Sequence, residues 1–169
     1  GNKEIPFSEK HNVDSPISIY AASKKANELM AFSYSHLYDL SSTGLRFFTV
    51  YGPWGRPDMA MFIFAEKILN GLPIPVFNNG DMLRDFTYIS DITDGILSAI
   101  EKNYKCEIFN LGNNKSESLM EIVAQIESGL SKKAIIRKEP IQPGDIERTC
   151  ADIDKAKSRL GFDPKVDIK

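Results

Sequence analysis

The sequence has little of what marks a membrane protein or a metal site. No apolar run is long enough to span a bilayer, and no signal peptide is recognisable. Its two histidines, His11 and His36, are not clustered with other metal ligands, and Cys106 and Cys150 share no redox or metal-ligand spacing. Two reduced thiols are the expectation, with one disulfide left open. We therefore expect a cytoplasmic protein without a bound metal.

An excess of charge of one sign is also lacking. The formal net charge is −2, which argues against a general surface for nucleic acid or for an anionic membrane. Hydrophobic residues make up 42% and charged residues 26%, as in ordinary globular proteins. With 169 residues, the chain can form one domain with a core or be a piece of a larger protein.

What the chain does have is a regular alternation of helix and strand patterns. Residues 1–17 are polar and contain two prolines, which predicts an extended connection. Helices are predicted over 18–38, 59–69, 90–100, 118–130 and 152–160, and strands over 45–51, 74–77, 84–89, 107–111 and 134–138. The run 45–51 hardly alternates, which is typical of a parallel strand buried on both faces. The sequence therefore predicts an α/β fold.

The first predicted helix carries the first candidate for chemistry. Ser18 is a favoured N-cap residue, and Tyr20 and Lys24 are four residues apart, so they share one helix face. A lysine ammonium close to a phenol favours the phenolate, which could then exchange a proton near neutral pH. An ordinary exposed helix face gives the same pattern, so this motif alone does not decide between the two.

Five motifs in a fixed order carry a family resemblance. They are YAASK at 20–24, GLRFFTVYGP at 44–53, RDFTYISDI at 84–92, FNLG at 109–112 and QPGD at 142–145. This set resembles the extended short-chain dehydrogenase/reductases that act on nucleotide sugars, and the run FFTVYGPWGRPDM at 47–59 is most similar to UDP-glucuronate 4-epimerases. The resemblance implies part of a Rossmann-type NAD-binding domain over 1–52 and mainly a small α/β substrate-binding domain over 53–169.

The resemblance also implies a mechanism with NAD as cofactor. Tyr20 would remove the proton of the sugar 4-hydroxyl while the C4 hydride passes to NAD, and its return to the other face would invert C4. Lys24 would hold the nicotinamide ribose. Phe48 would lie against the nicotinamide, and Thr49 would face the sugar. Phe48 could equally be a plain core residue.

Two arginines are implied contacts for the charged groups of a UDP-sugar. Arg84 matches the arginine that binds the diphosphate, where a guanidinium fork suits phosphate oxygens. The alternative for Arg84 is a surface pair with Asp85 or Asp81. Arg56 matches the arginine that would meet the glucuronate carboxylate, although it could instead cap a helix or rest on Trp54.

Four further positions are implied contacts for the UDP group. Val76 and Phe77 match the strand that lies along the uracil, although Phe77 could be plain core. Gln142 and Asp145 match the loop that holds the ribose and phosphate, and both could simply be turn residues. Many relatives have an arginine where Gln142 stands, so the neutral amide should bind more weakly.

The sequence departs from the family at its start. The Gly-rich turn that binds the NAD pyrophosphate is absent, and so is the Ser/Thr that shares the sugar hydroxyl with the tyrosine. We therefore expect the C-terminal part of an epimerase, inactive on its own. A dehydratase or decarboxylase of the same superfamily, or a non-catalytic UDP-sugar-binding module, remains the alternative.

The first predicted helix is also expected to support assembly. A broad apolar stripe on it exceeds what a single exposed helix needs: Ala22, Ala26, Leu29, Met30, Phe32 and Leu37. In the family, this helix packs against a twofold mate, so the resemblance implies a homodimer for the complete protein.

Overall fold

A computed structural model describes residues 4–168, and its elements alternate as the sequence predicts. The helices are α1 Ile19–Tyr38, α2 Ala60–Leu69, α3 Ile89–Lys102, α4 Leu119–Leu130 and α5 Asp154–Leu160. The strands are β1 Ser42–Phe47, β2 Thr49–Tyr51, β3 Pro73–Phe77, β4 Leu83–Tyr88, β5 Cys106–Leu111, β6 Ser116–Ser118 and β7 Ile135–Glu139. A single 3₁₀ turn follows β3 at Asn78–Gly80. The part of the predicted connection at 1–3 lies outside the described residues, as does residue 169.

The strands form three small sheets, and most of the pairings are parallel. β1 pairs with β5 in parallel, with Leu45 opposite Phe109. β4 lies between β2, which is parallel to it, and β6, which is antiparallel to it. β3 and β7 form the third pair, also parallel. Parallel strands joined through helices confirm the predicted α/β class.

The predicted strand 45–51 is in fact two strands that pair with different partners. β1 ends at Phe47 beside β5, Phe48 donates its backbone N–H to the Leu111 carbonyl at 3.1 Å, and β2 starts at Thr49 beside β4. The expectation of burial on both faces was wrong, because each residue of these two strands keeps some exposed surface. Within residues 4–168, β1 is the edge of a two-stranded sheet, which leaves its side chains accessible.

Helix boundaries follow local capping where a cap is available. Ser18 accepts a hydrogen bond from the Ala21 N–H at 3.1 Å, as predicted for the start of α1. α3 begins at Ile89, earlier than the predicted start at Ser90 or Asp91, because β4 runs directly into the helix. The Asp91 carboxylate instead accepts the N–H groups of Lys165 and Val166. The polar strand β6 was missed because it lacks an apolar pattern.

Two hydrophobic clusters stabilise the fold. The first joins α3, β5 and α5 with the segments around them: Ile92, Ala99, Phe109, Leu111, Ala151, Ile153, Ala156, Leu160 and Phe162. The second joins α2, β3 and α4: Phe64, Ile68, Ile74, Val76 and Val123. Phe48 packs against the first cluster, and Val76, expected to lie along a uracil, belongs to the second.

The helix α1 lies on β1 with its apolar stripe largely uncovered. Glu28 binds Arg46 of β1 through two hydrogen bonds of 2.6 and 2.9 Å, and Ser35 donates to the Lys105 carbonyl at 2.9 Å. Large apolar side chains along this helix stay more than half exposed: Leu29, Met30, Phe32, Tyr34, Leu37 and Tyr38. Within residues 4–168, no helix is both long enough and apolar enough to cross a membrane.

Candidate active site

The first turn of α1 presents a phenol and an ammonium side by side. The Lys24 Nζ lies 5.2 Å from the centre of the Tyr20 ring, which confirms that the two residues share one helix face. Tyr20 is 72% exposed, so its hydroxyl is accessible to a bound molecule. An exposed phenol beside a fixed cation can exchange a proton with a ligand or bind one of its hydroxyl groups.

Another tyrosine at the end of β2 is unsuited to that role. Tyr51 donates its hydroxyl to the Asp167 carbonyl at 3.2 Å. Burial, followed by the nearby carboxylates of Asp167 and Asp91, raises the pKa of Tyr51 to about 12. Its phenol therefore stays protonated at neutral pH, whereas a proton acceptor must be able to lose its proton.

Phe48 and Thr49 lie where two of the sheets diverge. The chain passes there from its pairing with β5 to its pairing with β4, and Thr49 stands opposite Phe86. In open α/β folds, ligands bind in the crevice outside the carboxyl ends of the strands, at the point where neighbouring strands diverge. Phe48 also packs against the first hydrophobic cluster and lies 6.4 Å from the Phe7 ring, so it is half core and half crevice wall.

Arg84 and Asp145, which are 61 residues apart in sequence, form one unit in the structure. The Arg84 Nη2 donates to the Asp145 Oδ1 at 2.9 Å, and its Nη1 donates to the carbonyls of Leu83 and Glu147. The expected alternatives Asp85 and Asp81 are not the partners. Five N–H groups are available on a guanidinium, so the Nε–H and one Nη2–H have no partner within residues 4–168. Arg84 can therefore offer two donors to an anion while its position is fixed.

The loop that holds Asp145 reaches the start of α1. A Cβ placed on Gly144 would lie 3.6 Å from the Ile17 carbonyl oxygen and 3.7 Å from the Ser18 Cβ. Gln142 is exposed in this loop, and its carbonyl accepts the Asp145 N–H at 3.0 Å. The loop of the Arg84–Asp145 unit and the helix that carries Tyr20 are thus neighbours.

The two residues expected along a uracil differ in accessibility. Val76 has no exposed surface and packs in the second hydrophobic cluster, so its side chain serves the core. Only its backbone could contact a ligand in this arrangement. Phe77, at the end of β3, is half-buried and keeps accessible ring surface.

Arg56 lies in the loop after β2 and points toward the start of α2. Its side chain is 74% exposed, its Nε is 3.3 Å from the Asp58 carboxylate, and its Nη2 is 3.5 Å from the Met59 sulfur. Trp54 is fully exposed and is not covered by Arg56. The Arg56 guanidinium is therefore held by an exposed ion pair and a weak bond to sulfur, which an incoming carboxylate can replace.

Sequence patterns did not indicate a fully buried carboxylate beside Arg84. Asp85 has no exposed surface, and its carboxylate accepts the backbone N–H groups of Asn113 and Ala151. Burial raises the pKa of Asp85, and the N–H groups of Ala151 and Asn113 oppose that effect. The available signal was an acidic residue in the middle of a predicted strand, directly before Phe86.

Neither metal ligation nor a disulfide adds to this site. No group of three metal-ligating side chains occurs within residues 4–168. Cys106 is exposed, Cys150 is buried, and both are free thiols. The residues that could hold an organic cofactor are the exposed Tyr20 and Lys24 together with the Phe48 ring.

Comparison with known proteins gives a consistent family match. A family model described as the NAD dependent epimerase/dehydratase family matches residues 1–112. An uncharacterized protein of Methanocaldococcus jannaschii is 57% identical over 169 residues, which are 100% of this chain and 52% of the relative. The UDP-glucuronate 4-epimerase 5 of Arabidopsis thaliana is 46% identical over 188 residues, which cover 99% of this chain and 42% of the relative.

A solved structure agrees with both sequence comparisons. The UDP-glucuronic acid 4-epimerase from Bacillus cereus, in complex with UDP-glucuronic acid and NAD, superimposes with a TM-score of 0.91 at 33% identity. The match covers 99% of this chain and 54% of that one. The chain therefore spans about half the length of the relatives that it matches.

Proposed function

The chain belongs to the NAD dependent epimerase/dehydratase family, and we propose that it is the C-terminal part of an enzyme that inverts C4 of UDP-glucuronate. One observation carries the proposal: the loop that holds the Arg84–Asp145 unit lies against the start of the helix that carries the exposed Tyr20–Lys24 pair, where Gly144 meets Ser18. The names and bound ligands of the relatives support UDP-glucuronate as the substrate. That the chain spans half of these relatives supports its being a part of the enzyme.

The residues present fit the nicotinamide end of NAD. The accessible phenol and ammonium of Tyr20 and Lys24 can bind the ribose hydroxyls, and the half-exposed Phe48 ring offers a flat apolar surface. Within residues 4–168 there is no Gly-rich turn that could bind the pyrophosphate. When bound, NAD supplies hydride acceptance and hydride return at C4 of the sugar.

Tyr20 is the proposed base of the reaction. Its phenolate takes the proton of the sugar 4-hydroxyl as C4 is oxidised, and it returns the proton when C4 is reduced from the other face. Lys24, beside the Tyr20 ring, holds the ribose of the cofactor. Thr49, which starts β2 beside the crevice, faces the sugar.

Arg84 is the proposed anchor for the diphosphate. Three of its bonds fix the guanidinium to the Leu83 and Glu147 carbonyls and to Asp145, and its remaining N–H groups are donors for phosphate oxygens. The Asp145 Oδ1 accepts from Arg84 and from the Ile146 N–H, which leaves its Oδ2 available for a ribose hydroxyl. Gln142 completes this loop.

The other proposed substrate contacts lie at the two ends of the crevice. Phe77 and the backbone of Val76 lie along the uracil. Arg56 leaves Asp58 to bind the C6 carboxylate, which distinguishes UDP-glucuronate from UDP-glucose. Holding this carboxylate also protects the 4-keto intermediate from decarboxylation, because a β-keto acid loses CO₂ readily.

We also propose a division into two domains, a homodimer of the complete protein and a cytoplasmic location. The second hydrophobic cluster lies entirely within 53–169, which supports this range as mainly the substrate domain, with 1–52 as part of the NAD-binding domain. The exposed apolar face of α1 supports a homodimer of the complete protein. The two free thiols fit the reducing cytoplasm.

The direct test is turnover by the full-length protein. Incubated with NAD and UDP-glucuronate, it should produce the C4 epimer, detected by anion-exchange chromatography and identified by NMR. This chain alone should give no product. A dehydrated or decarboxylated sugar as the main product would replace the proposal with one of the other reactions of the superfamily. Light scattering of the same preparation should give the mass of two chains, and a monomer mass would refute the dimer.

A further inference from the structure

The strand that carries Arg84 also carries a carboxylate that the proposed reaction does not use. Asp85 is completely buried and lies on the opposite face of β4 from Arg84, because successive strand residues alternate. Removing a carboxylate from water is unfavourable. Replacing a buried charged group by well-packed apolar residues often leaves the stability of a protein unchanged or raises it. Stability alone is therefore a poor explanation for Asp85.

The bonds of Asp85 join three separate segments of the chain. One carboxylate oxygen accepts the Asn113 N–H at 2.6 Å, in the turn after β5, and the other accepts the Ala151 N–H at 2.8 Å. Its own N–H donates to the Thr149 hydroxyl at 3.0 Å. The turn after β5 and the segment after the Asp145 loop are thereby both held against β4.

The Asp85 carboxylate also lies close to the ring of Phe48. A Cβ placed on Gly112 would be 3.2 Å from both the Asp85 Oδ2 and the Phe48 Cδ2, and 2.4 Å from the Ala151 Cβ. Gly112 therefore lies against both the carboxylate and the ring. The turn at 112–113, which Asp85 holds, is thus in contact with Phe48.

Asp85 also fixes the position of Arg84, through the segment at 147–151. The segment 147–149 pairs with Leu83, whose N–H donates to the Glu147 carbonyl and whose carbonyl accepts the Thr149 N–H. Arg84 in turn donates to the Glu147 carbonyl and to Asp145. The Ala151 and Thr149 bonds of Asp85 fix the end of this segment.

We propose that Asp85 is a positioning residue that holds Phe48 on the cofactor side and Arg84 on the substrate side in one fixed arrangement. This inference rests on the proposed function, which assigns those two sides. Asp85 touches neither substrate nor cofactor and acts through the segments at 112–113 and 147–151. A displacement of about 1 Å in such a site can lower activity about a hundredfold, so a rigid buried clamp has a clear benefit.

The test compares two substitutions of matched chemistry in this chain. Asp85→Asn keeps the shape, but its NH₂ group cannot accept, so one of the two backbone N–H bonds is lost. Asp91→Asn is the control for replacing a buried carboxylate, because Asp91 is also buried and its Oδ2 accepts two backbone N–H groups, from Lys165 and Val166, which an asparagine oxygen can still accept. Both variants are assayed by calorimetric titration with UDP and by the NMR resonance of the Arg84 Nε–H, after their stabilities have been measured.

The inference predicts a selective effect of Asp85→Asn. Its dissociation constant for UDP should rise about tenfold, the loss expected for one misplaced charged contact. The Arg84 Nε–H resonance should shift or broaden. Asp91→Asn should change the UDP affinity less than about twofold and leave that resonance in place, even at equal loss of stability.

Two results would overturn the inference. One is an unchanged UDP affinity in Asp85→Asn, and the other is an equal loss in both variants, which would make Asp85 a purely structural residue. If the unsubstituted chain does not bind UDP, the proposed substrate site fails, and the Arg84 resonance alone then decides. A resonance that Asp85→Asn leaves unmoved would overturn the positioning role in that case as well.

Discussion

The proposed substrate side and the proposed cofactor side differ in how far the chain buries and fixes their candidate residues. On the substrate side, the Arg84 side chain is 17% exposed and fixed by three bonds, and Asp85 behind it is fully buried. On the cofactor side, Tyr20 is 72% exposed and the apolar stripe of α1 is uncovered within residues 4–168. The chain thus fixes the proposed substrate anchor Arg84 and leaves the proposed proton acceptor Tyr20 open.

This contrast explains why the candidate substrate-binding residue Arg84 is held by several hydrogen bonds, whereas the candidate proton acceptor Tyr20 is exposed. Groups that bind a charged substrate need fixed donors, and the fold supplies them through the segment 145–151. A group that transfers a proton needs access, and the first turn of α1 leaves Tyr20 open.

The largest effect is expected on the cofactor side, in the full-length enzyme. Tyr20→Phe removes the proton acceptor and should lower kcat about 10²–10⁴-fold, the range for general acid–base groups. The affinity for UDP should be unchanged, because Arg84 is untouched. Steady-state kinetics and a UDP titration measure the two quantities. Near-normal turnover would show that Tyr20 is not the base.

The second effect compares a phenylalanine-to-alanine substitution at a buried position and at an exposed position of this chain. Phe109→Ala empties a fully buried site in the first hydrophobic cluster and should lower the free energy of unfolding by about 3–5 kcal/mol. Phe32→Ala, on the uncovered face of α1, should change it by less than about 0.5 kcal/mol. Urea denaturation measures both. A large loss for Phe32→Ala would mean that this face is already covered in solution.

The third effect concerns selection of the sugar. Arg56→Ala should lower kcat/KM for UDP-glucuronate about ten- to hundredfold more than for UDP-glucose, because a hydrogen bond to a charged group contributes about 1.5–3 kcal/mol. It should also release some decarboxylated sugar, detected by mass spectrometry. Equal losses on both substrates, without decarboxylation, would return Arg56 to the ion pair with Asp58 as its only role.

The smallest effect concerns the ion pair that fixes α1 to β1. Hydrogen bonds from Arg46, then its charge and that of Lys25, outweigh burial and hold the pKa of Glu28 below its usual value of 4.5. Glu28→Gln should cost about 1–2 kcal/mol of stability at pH 7, between the values for exposed and buried pairs.

The pH dependence of that loss follows from its sign. A lowered folded pKa means that the contribution is present above pH 4.5 and is lost as the pH falls through the folded value. The difference between Glu28→Gln and the original chain should therefore vanish in acid. Asp39→Asn, which breaks the fully exposed pair with Lys105, is the control and should show no measurable change. A loss that persists unchanged in acid would assign the role of Glu28 to packing.

Local sequence signals predicted most of the fold. The Ser18 cap, the helical periodicity and the apolar strand runs located every helix to within a few residues, because these are short-range effects. The break at Phe48 could not be predicted, since it depends on which distant strand each half pairs with. The polar strand β6 exists only through its pairing with β4.

In the candidate site, too, local patterns were predictable and long-range contacts were not. Motif resemblance named Tyr20, Lys24 and Arg84 as candidates, and helix geometry alone placed Tyr20 beside Lys24. The bond between Arg84 and Asp145 joins residues 61 apart in sequence, so no local pattern indicates it. Asp85 was overlooked because its partners are backbone N–H groups, which every sequence has.

The proposed site divides into a substrate side that this chain can form and a cofactor side that it forms only in part. Calorimetric titration of the isolated chain with UDP and with NAD separates the two, with Arg84→Gln as the matched variant. We expect saturable binding of UDP that Arg84→Gln abolishes, and no binding of NAD. A tight, stoichiometric complex with NAD, or UDP binding that survives Arg84→Gln, would contradict it.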